Sequence, residues 1–528
     1  MSQQMSFAEM SPTQWVGTEP GEISPGVRAN STTETVAAAL ACFPDVSVVS
    51  VAINETGVVE QMPGISAEDL PSFCDVRLEQ KTPGGHTAHI TVWVPLDWNE
   101  RFLGLGGQGN RASVPWIFGD LVRIATLPRA VRNGFAAAET DAGNVDPRFA
   151  DWGLDLETRE LDWELIRNWR DRSTHDMTVI AKVVIEAIHG KSPRYSYFQG
   201  TSGGGRQALI EAQRYPGDYD GIWSAEPAIN YPKLAAACMW PALVMKETGN
   251  ALPPAKLEAF RSGYVAAAGP HAAELGYVPQ FELRAWDPHE LVGQATAAGN
   301  ITSEDADVVA RIWDGPRKAN GERLWFGVRP DGESWGENVH HVGLATTEEV
   351  NGKIVPSAFV MAKAFLGDWI LQDPEWDWKT LTFDSFETLF ERGVREFAEL
   401  SADDPDLSEF KASGAKLMLT HGLSDEIVFA GGTVTYADNV FAEMGADELE
   451  PFFRVYFTPG DGHSHVTAAG PGLTLAAGMA ALMDWVENGH APETLDVERY
   501  DPASGEVTAR GTVSRYAPGN AGASSTAA

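Results

Sequence analysis

Residues 200 to 204 read Gly-Thr-Ser-Gly-Gly, a Gly-x-Ser-x-Gly pattern centred on Ser202. A serine hydroxyl is a weak nucleophile at neutral pH. It needs a base within hydrogen-bond reach and a third group to orient that base. It also needs exposure, which a sharp strand-to-helix turn provides. Gly200 and Gly204, two residues either side, remove the side chains that would clash in such a turn. The pattern by itself is common, and a plain glycine turn is its bland reading. Its context adds weight, because "YSYFQG" reads as a strand and "GRQALIEAQRY" as a helix.

The partners of such a serine come later in the chain, acid before histidine. "LMLTHGLSDEIV" places Asp425 just past a strand, and "VYFTPGDGHSHV" places His463 just past the next. A turn-capping aspartate and a structural loop histidine are the competing readings. His465 is the nearest rival of His463. His421, at the strand end beside Asp425, is expected to hold the acid's loop. An oxyanion hole needs two backbone N–H groups aimed at the developing charge. Gly203 supplies one, and Gly106 or Gly107, at the end of "LGLGG", the other. Those two glycines also suit a tight turn with no ligand.

These residues need a frame. "HITVWVP", "RFLGLGG" and "GFAAAET" read as strands. Residues 174–189 carry Met177, Ile180, Val183, Val184 and Ile188 at helical spacing, with Gly190 placed as a C-cap. "AKLMLTHG" and "FFRVYFTPG" are buried strands, and "LTLAAGMAALMDWVENG" is a closing helix capped by Gly489. The alternation implies an α/β fold with a mostly parallel central sheet flanked by helices. Between residues 236 and 398 the alternation stops. Eight of the 17 tryptophans fall there, at 240, 286, 313, 325, 335, 369, 376 and 378. This reads as a large inserted lid, most of its tryptophans forming its core and a few lining an aromatic slot. The expected organisation is a surface lead-in over 1–40, a first core part over 41–235, the lid over 236–398, a second core part over 399–503 and a polar, disordered tail over 504–528.

The composition narrows the class. Hydrophobic residues make up 43% and charged ones 21% of 528, which suits a globular chain with a sizeable core. No run of about 18 uncharged apolar residues occurs, so no membrane partner is expected. A net charge of −35 repels phosphate backbones and argues against nucleic acid. The opening "MSQQMSFAEM" lacks a basic stretch followed by an apolar core, so the expectation is a cytoplasmic protein. A secreted chain whose signal had been removed would read the same way. Cys42, Cys74 and Cys238 form no CxxC pair and no zinc pattern. Nothing in the sequence assigns an oligomeric state.

Several motifs then occur together in order: "YSYFQGTSGGGRQAL", "YPGDYDGIWSAEPAINY", "THGLSDEIV", "PGDGH" and "WVENGHAPETL". With "HITVWVPLDWNERFLGLGGQGN" before them and "ITSEDADVVARIWDGPRKANGERLWFGVRPDGESW" between, the chain resembles the tannase and feruloyl esterase family of α/β-hydrolases over most of residues 40–500. The resemblance implies an α/β-hydrolase fold and a serine carboxylic-ester hydrolase. Its substrate would be a small aromatic ester, of a gallate, ferulate or terephthalate-like acid. Ser202 matches the nucleophile, Asp425 the acid and His463 the base, which favours His463 over His465. The family's cysteines before the serine and after the histidine are replaced by Thr201 and Ser464, so that bridge cannot form. Cys42 and Cys74 match a family pair. The family's calcium loop corresponds to residues 266–288, which hold only Glu274, Glu282 and Asp287 as acids. Calcium takes about six to eight oxygen ligands, so no metal and no other cofactor is expected. The alternatives are a general carboxylesterase or amidase without aromatic preference, and a non-catalytic binding protein that keeps the lid.

Overall fold

The computed structural model describes residues 15, 18–62, 65–113, 124–148, 150–335, 343–463, 468–501, 504 and 506–519. Ser464 and His465 lie outside the described residues.

Nine strands form one sheet: β1 Val46–Asn54, β2 Phe73–Lys81, β3 Thr87–Pro95, β4 Arg101–Leu105, β5 Ala136–Thr140, β6 Tyr195–Thr201, β7 Gly221–Ala225, β8 Lys416–Gly422 and β9 Phe453–Thr458. Their spatial order is β1-β2-β3-β5-β4-β6-β7-β8-β9. The first three pair antiparallel, and β3 meets β5 antiparallel. From β5 to β9 every pairing is parallel. The expected α/β-hydrolase architecture, with its mostly parallel sheet, is therefore present. β1, β2 and β7 were not legible as strands in the sequence. β7, Gly-Ile-Trp-Ser-Ala, is buried throughout and too short to show alternation.

The parallel strands are apolar on both sides because both faces are covered. In β6, Tyr197 and Phe198 point to opposite cores. One core packs beneath α2 (Ser173–His189), α3 (Gly203–Arg214) and α4 (Ala430–Met444). The other packs beneath α1 (Leu127–Arg132) and α5 (Leu475–Asn488). Gly190 and Gly489 cap α2 and α5 in the left-handed conformation, as their positions suggested.

Between β7 and β8 lies an inserted segment with helices at Tyr231–Ala237, Trp240–Thr248, Pro254–Ala267, Ser303–Asp314 and Phe383–Glu396, and two small hairpins. Its core is shared. Trp369 packs edge-on against Trp152 and Trp169, which precede the insertion, at ring separations of 5.4 and 6.1 Å. Trp240, Trp325, Trp335, Trp369 and Trp378 are buried, while Trp286, Trp313 and Trp376 are partly buried. Among the described residues no helix is long and apolar enough to cross a membrane.

Two expectations need correction. The tail expected to be disordered from residue 504 forms a strand over Val507–Ser514, paired antiparallel with Thr494–Tyr500. Alternation in "EVTARGTVS" turns Val513 inward and outweighs the polar composition. Tyr516 then docks by its N–H on Val455 O (2.7 Å) and by its hydroxyl on Asp438. The lead-in is likewise no mere surface strip, since Trp15, Val27 and Val36 are buried.

Candidate active site

Ser202 stands between the last residue of β6 and the first of α3, at φ 62° and ψ −119°. A non-glycine residue held there costs about 1–3 kcal/mol and persists only where its surroundings over-determine it. They do so here. The Ser202 N–H donates to Ala225 O (2.9 Å), and its carbonyl accepts from the N–H groups of Arg206 (3.0 Å) and Ala228 (3.1 Å). The turn also requires glycine: a Cβ on Gly200 would stand 2.1 Å from Gly204 O. The Thr201 hydroxyl accepts from Gln199 Nε2 at 3.2 Å.

Asp425 follows β8 and His463 follows β9, so with Ser202 they stand at the carboxyl ends of parallel strands. The two loops touch backbone to backbone. The Ser424 N–H donates to Asp461 O (2.9 Å), and a Cβ on Gly422 would stand 2.6 Å from the same oxygen. This closeness brings His463 Nδ1 to 2.8 Å from Asp425 Oδ2. A carboxylate only accepts, so Nδ1 carries a proton, and Nε2 holds a lone pair whenever the imidazole is neutral. Asp425 Oδ1 accepts from the N–H groups of Ile427 (2.8 Å) and Val428 (2.7 Å). Burial would raise the Asp425 pKa, but the charge of His463 and the hydrogen bonds from His421 and His463 hold it below the usual carboxylate range. For His463, burial pulls downward. Asp425, with Glu426 and Glu226 behind it, outweighs burial and raises its pKa.

His421 occupies the other side of the acid. Its Nε2 lies 3.1 Å from Val428 O and 3.2 Å from Asp425 Oδ2, both acceptors, so it carries a proton. Its Nδ1 then accepts from the Thr433 hydroxyl (2.8 Å). His421 thus buttresses the acid and its loop, as expected.

The two loop glycines expected in the oxyanion hole are corrected by their bonding. The Gly106 N–H donates to Gln199 O (3.0 Å), extending the β4–β6 ladder. The Gly107 N–H donates to Gln207 Oε1 (2.7 Å). The Gly106 N–H is thus committed to β6 and the Gly107 N–H to α3. Glu426 was overlooked: its Oε2 accepts from the His463 backbone N–H at 2.8 Å. The adjacent acids in "SDEIV" were the visible signal. Glu226 is fully buried, and no local pattern announced its bearing on a histidine 237 positions away. Cys42, Cys74 and Cys238 are free thiols, so Cys42 and Cys74 do not form the pair that the resemblance suggested.

The family model described as tannase and feruloyl esterase matches residues 74–521. A probable feruloyl esterase from Arthroderma benhamiae is 36% identical over 436 residues, covering 79% of this chain and 77% of that protein. The solved tannin acyl hydrolase from Aspergillus niger superposes with a TM-score of 0.79 at 21% identity, over 96% of both chains. Feruloyl esterase B from Aspergillus oryzae does so with a TM-score of 0.72 at 20% identity, over 93% of this chain and 100% of that one. The two structures share the fold, and the family match spans most of the sequence. The chain belongs to the tannase and feruloyl esterase family and is a carboxylic ester hydrolase.

Proposed function

We propose that this hydrolase cleaves esters of aromatic acids, phenolic or terephthalate-like, through an acyl-enzyme on Ser202. The observation that carries the reading is the Asp425–His463 hydrogen bond, with Ser202 in a strained, glycine-flanked turn at the carboxyl end of a strand of the same parallel sheet. His463 Nε2 takes the proton of the Ser202 hydroxyl as Oγ attacks the ester carbonyl. The tetrahedral intermediate's oxyanion faces the Gly203 N–H. Of the loop after β4, the amides following the two committed glycines, Gln108 and Gly109, are the candidates for the second donor. The intermediate expels the alcohol, which takes its proton from His463. Water, deprotonated by His463, then attacks the acyl-enzyme. The acid leaves, and Ser202 regains its proton. Asp425 orients the imidazole and stabilises its cation.

The feruloyl esterase relatives support the aromatic acid, as does the tryptophan-rich insertion, taken here as a lid over residues 236–398. A panel of nitrophenyl acetate, methyl gallate, methyl ferulate and an anilide tests the reading. Preference for the gallate or ferulate ester is expected. Equal cleavage of all the esters makes it a general carboxylesterase, and cleavage of the anilide an amidase.

A further inference from the structure

Among the largest fully buried side chains of the described residues, Arg206 is the one that carries a charge. It stands one helical turn after the nucleophile turn, its N–H donating to Ser202 O. Its guanidinium carbon lies 4.1 Å from the centroid of the Trp169 ring. Nη1 donates to Arg170 O (3.3 Å) and Leu400 O (3.4 Å), while Nε and Nη2 reach no acceptor. Burial lowers its pKa to about 10, with Tyr231 and Asp171 opposing that, so it is still a cation at neutral pH. A buried cation with unmet donors opposes folding, and a well-packed apolar replacement is often neutral or stabilising. Stability therefore does not explain why an arginine stands here.

Its surroundings suggest another role. Tyr231 lies where the chain enters the inserted segment and Leu400 where it leaves. Trp169 packs on Tyr231 at 5.2 Å, and the Ala402 N–H donates to Ile229 O at 2.8 Å, joining entry to exit. Two more residues of α3, seven and eight positions after Arg206 and on the same helix face, hold the exit segment. Gln213 Nε2 donates to Ala402 O (2.9 Å) and Arg214 Nη2 to Glu399 O (3.4 Å). The helix that begins at the nucleophile turn is thus the helix on which both ends of the insertion rest.

We propose that Arg206 is a positioning residue whose planar guanidinium, held between the Trp169 ring and the Leu400 carbonyl, fixes the seat of the inserted segment relative to Ser202. The kinetic part of its test rests on the proposed aromatic-ester activity; the structural part does not. R206M and R206K are compared with wild type by thermal melting, by hydrogen exchange in peptides covering 229–231 and 399–402, and by kcat and KM for nitrophenyl acetate and methyl ferulate. R206M is expected to melt at or above the wild-type temperature and to exchange about tenfold faster in both peptides. Its kcat/KM should fall about tenfold for methyl ferulate, with nitrophenyl acetate changing by less than about threefold. R206K keeps the charge without the planar fork and should behave like R206M. Unchanged exchange in both peptides overturns the proposal, as does an R206K that matches wild type. An R206M that fails to fold, or that melts lower and loses both esters equally, makes Arg206 a stability residue and also overturns it. If wild type cleaves nitrophenyl acetate but not methyl ferulate, the aromatic-ester reading fails, and the exchange data still decide for or against Arg206.

Discussion

The carboxyl edge of the sheet and the inserted segment are built on different principles. At the edge, position is set by backbone. Ser202, Asp425 and His463 each follow a parallel strand, and their loops are locked by main-chain bonds such as Ser202 N–H to Ala225 O and Ser424 N–H to Asp461 O. In the insertion, position is set by side-chain packing. Several of its aromatic rings meet edge to face, as Trp369 does with Trp152, and its core is completed by residues from outside it. The difference teaches where change is tolerated. A backbone-locked edge keeps its geometry when one side chain is removed and loses only the chemistry. A packed aromatic cluster loses geometry first, and activity follows from that.

Removing the chemistry should have the largest effect. S202A and H463A should each lower kcat for nitrophenyl acetate by about 1,000-fold or more, S202A with its melting temperature unchanged. D425N should lower it by about 10,000-fold if the imidazole loses its orientation. A wild-type kcat in S202A would break the comparison at its root. W369A is the matching test in the insertion. It should cost about 3–5 kcal/mol of stability, read by denaturant unfolding, because a buried ring leaves a cavity in a shared cluster. A normal melting curve with a selective loss on aromatic esters would instead show that Trp369 faces substrate.

A smaller effect concerns pH. His463 must be neutral to act as base, and its pKa is raised above the ordinary 6.5. Activity should therefore fall as pH drops through that raised value, with the midpoint of the acid limb of kcat/KM above 6.5. E426Q removes one of the carboxylates that raise it, so its acid limb should move to lower pH. A shift upward, or none, would remove Glu426 from the histidine's surroundings. The smallest effects should come from reductant and chelator. All three cysteines are free thiols, so reductant has no bridge to open and kcat should be unchanged. Dialysed protein should hold no tightly bound calcium. One calcium per chain with loss of activity on chelation would place a site in the insertion that residues 266–288 do not reveal.

Much of the edge was legible because its signals are local. Strand, glycine turn and helix around Ser202 lie within about twenty residues, and Asp425 and His463 each sit directly after a recognisable buried strand. The hairpin at Thr494–Tyr500 and Val507–Ser514 is hard to read from sequence because its polar composition masks a short alternation. The loop glycines lie against the serine turn, but their N–H groups are already bonded. Whether an N–H is free depends on what lies opposite, and Gln199 and Gln207 lie opposite.

The sequence by itself determined the fold class, the family, and the order and types of the candidate catalytic residues. Each of these follows from short-range periodicity, turn chemistry and motifs. Only the tertiary structure decided which amides are already spent, that Glu426 and Glu226 share the charge field of His463, and that Arg206 is buried against Trp169 where both ends of the insertion meet. These are contacts between residues tens to hundreds of positions apart. Hydrogen-bond commitment, burial and charge proximity are properties of such contacts, and no local pattern encodes them.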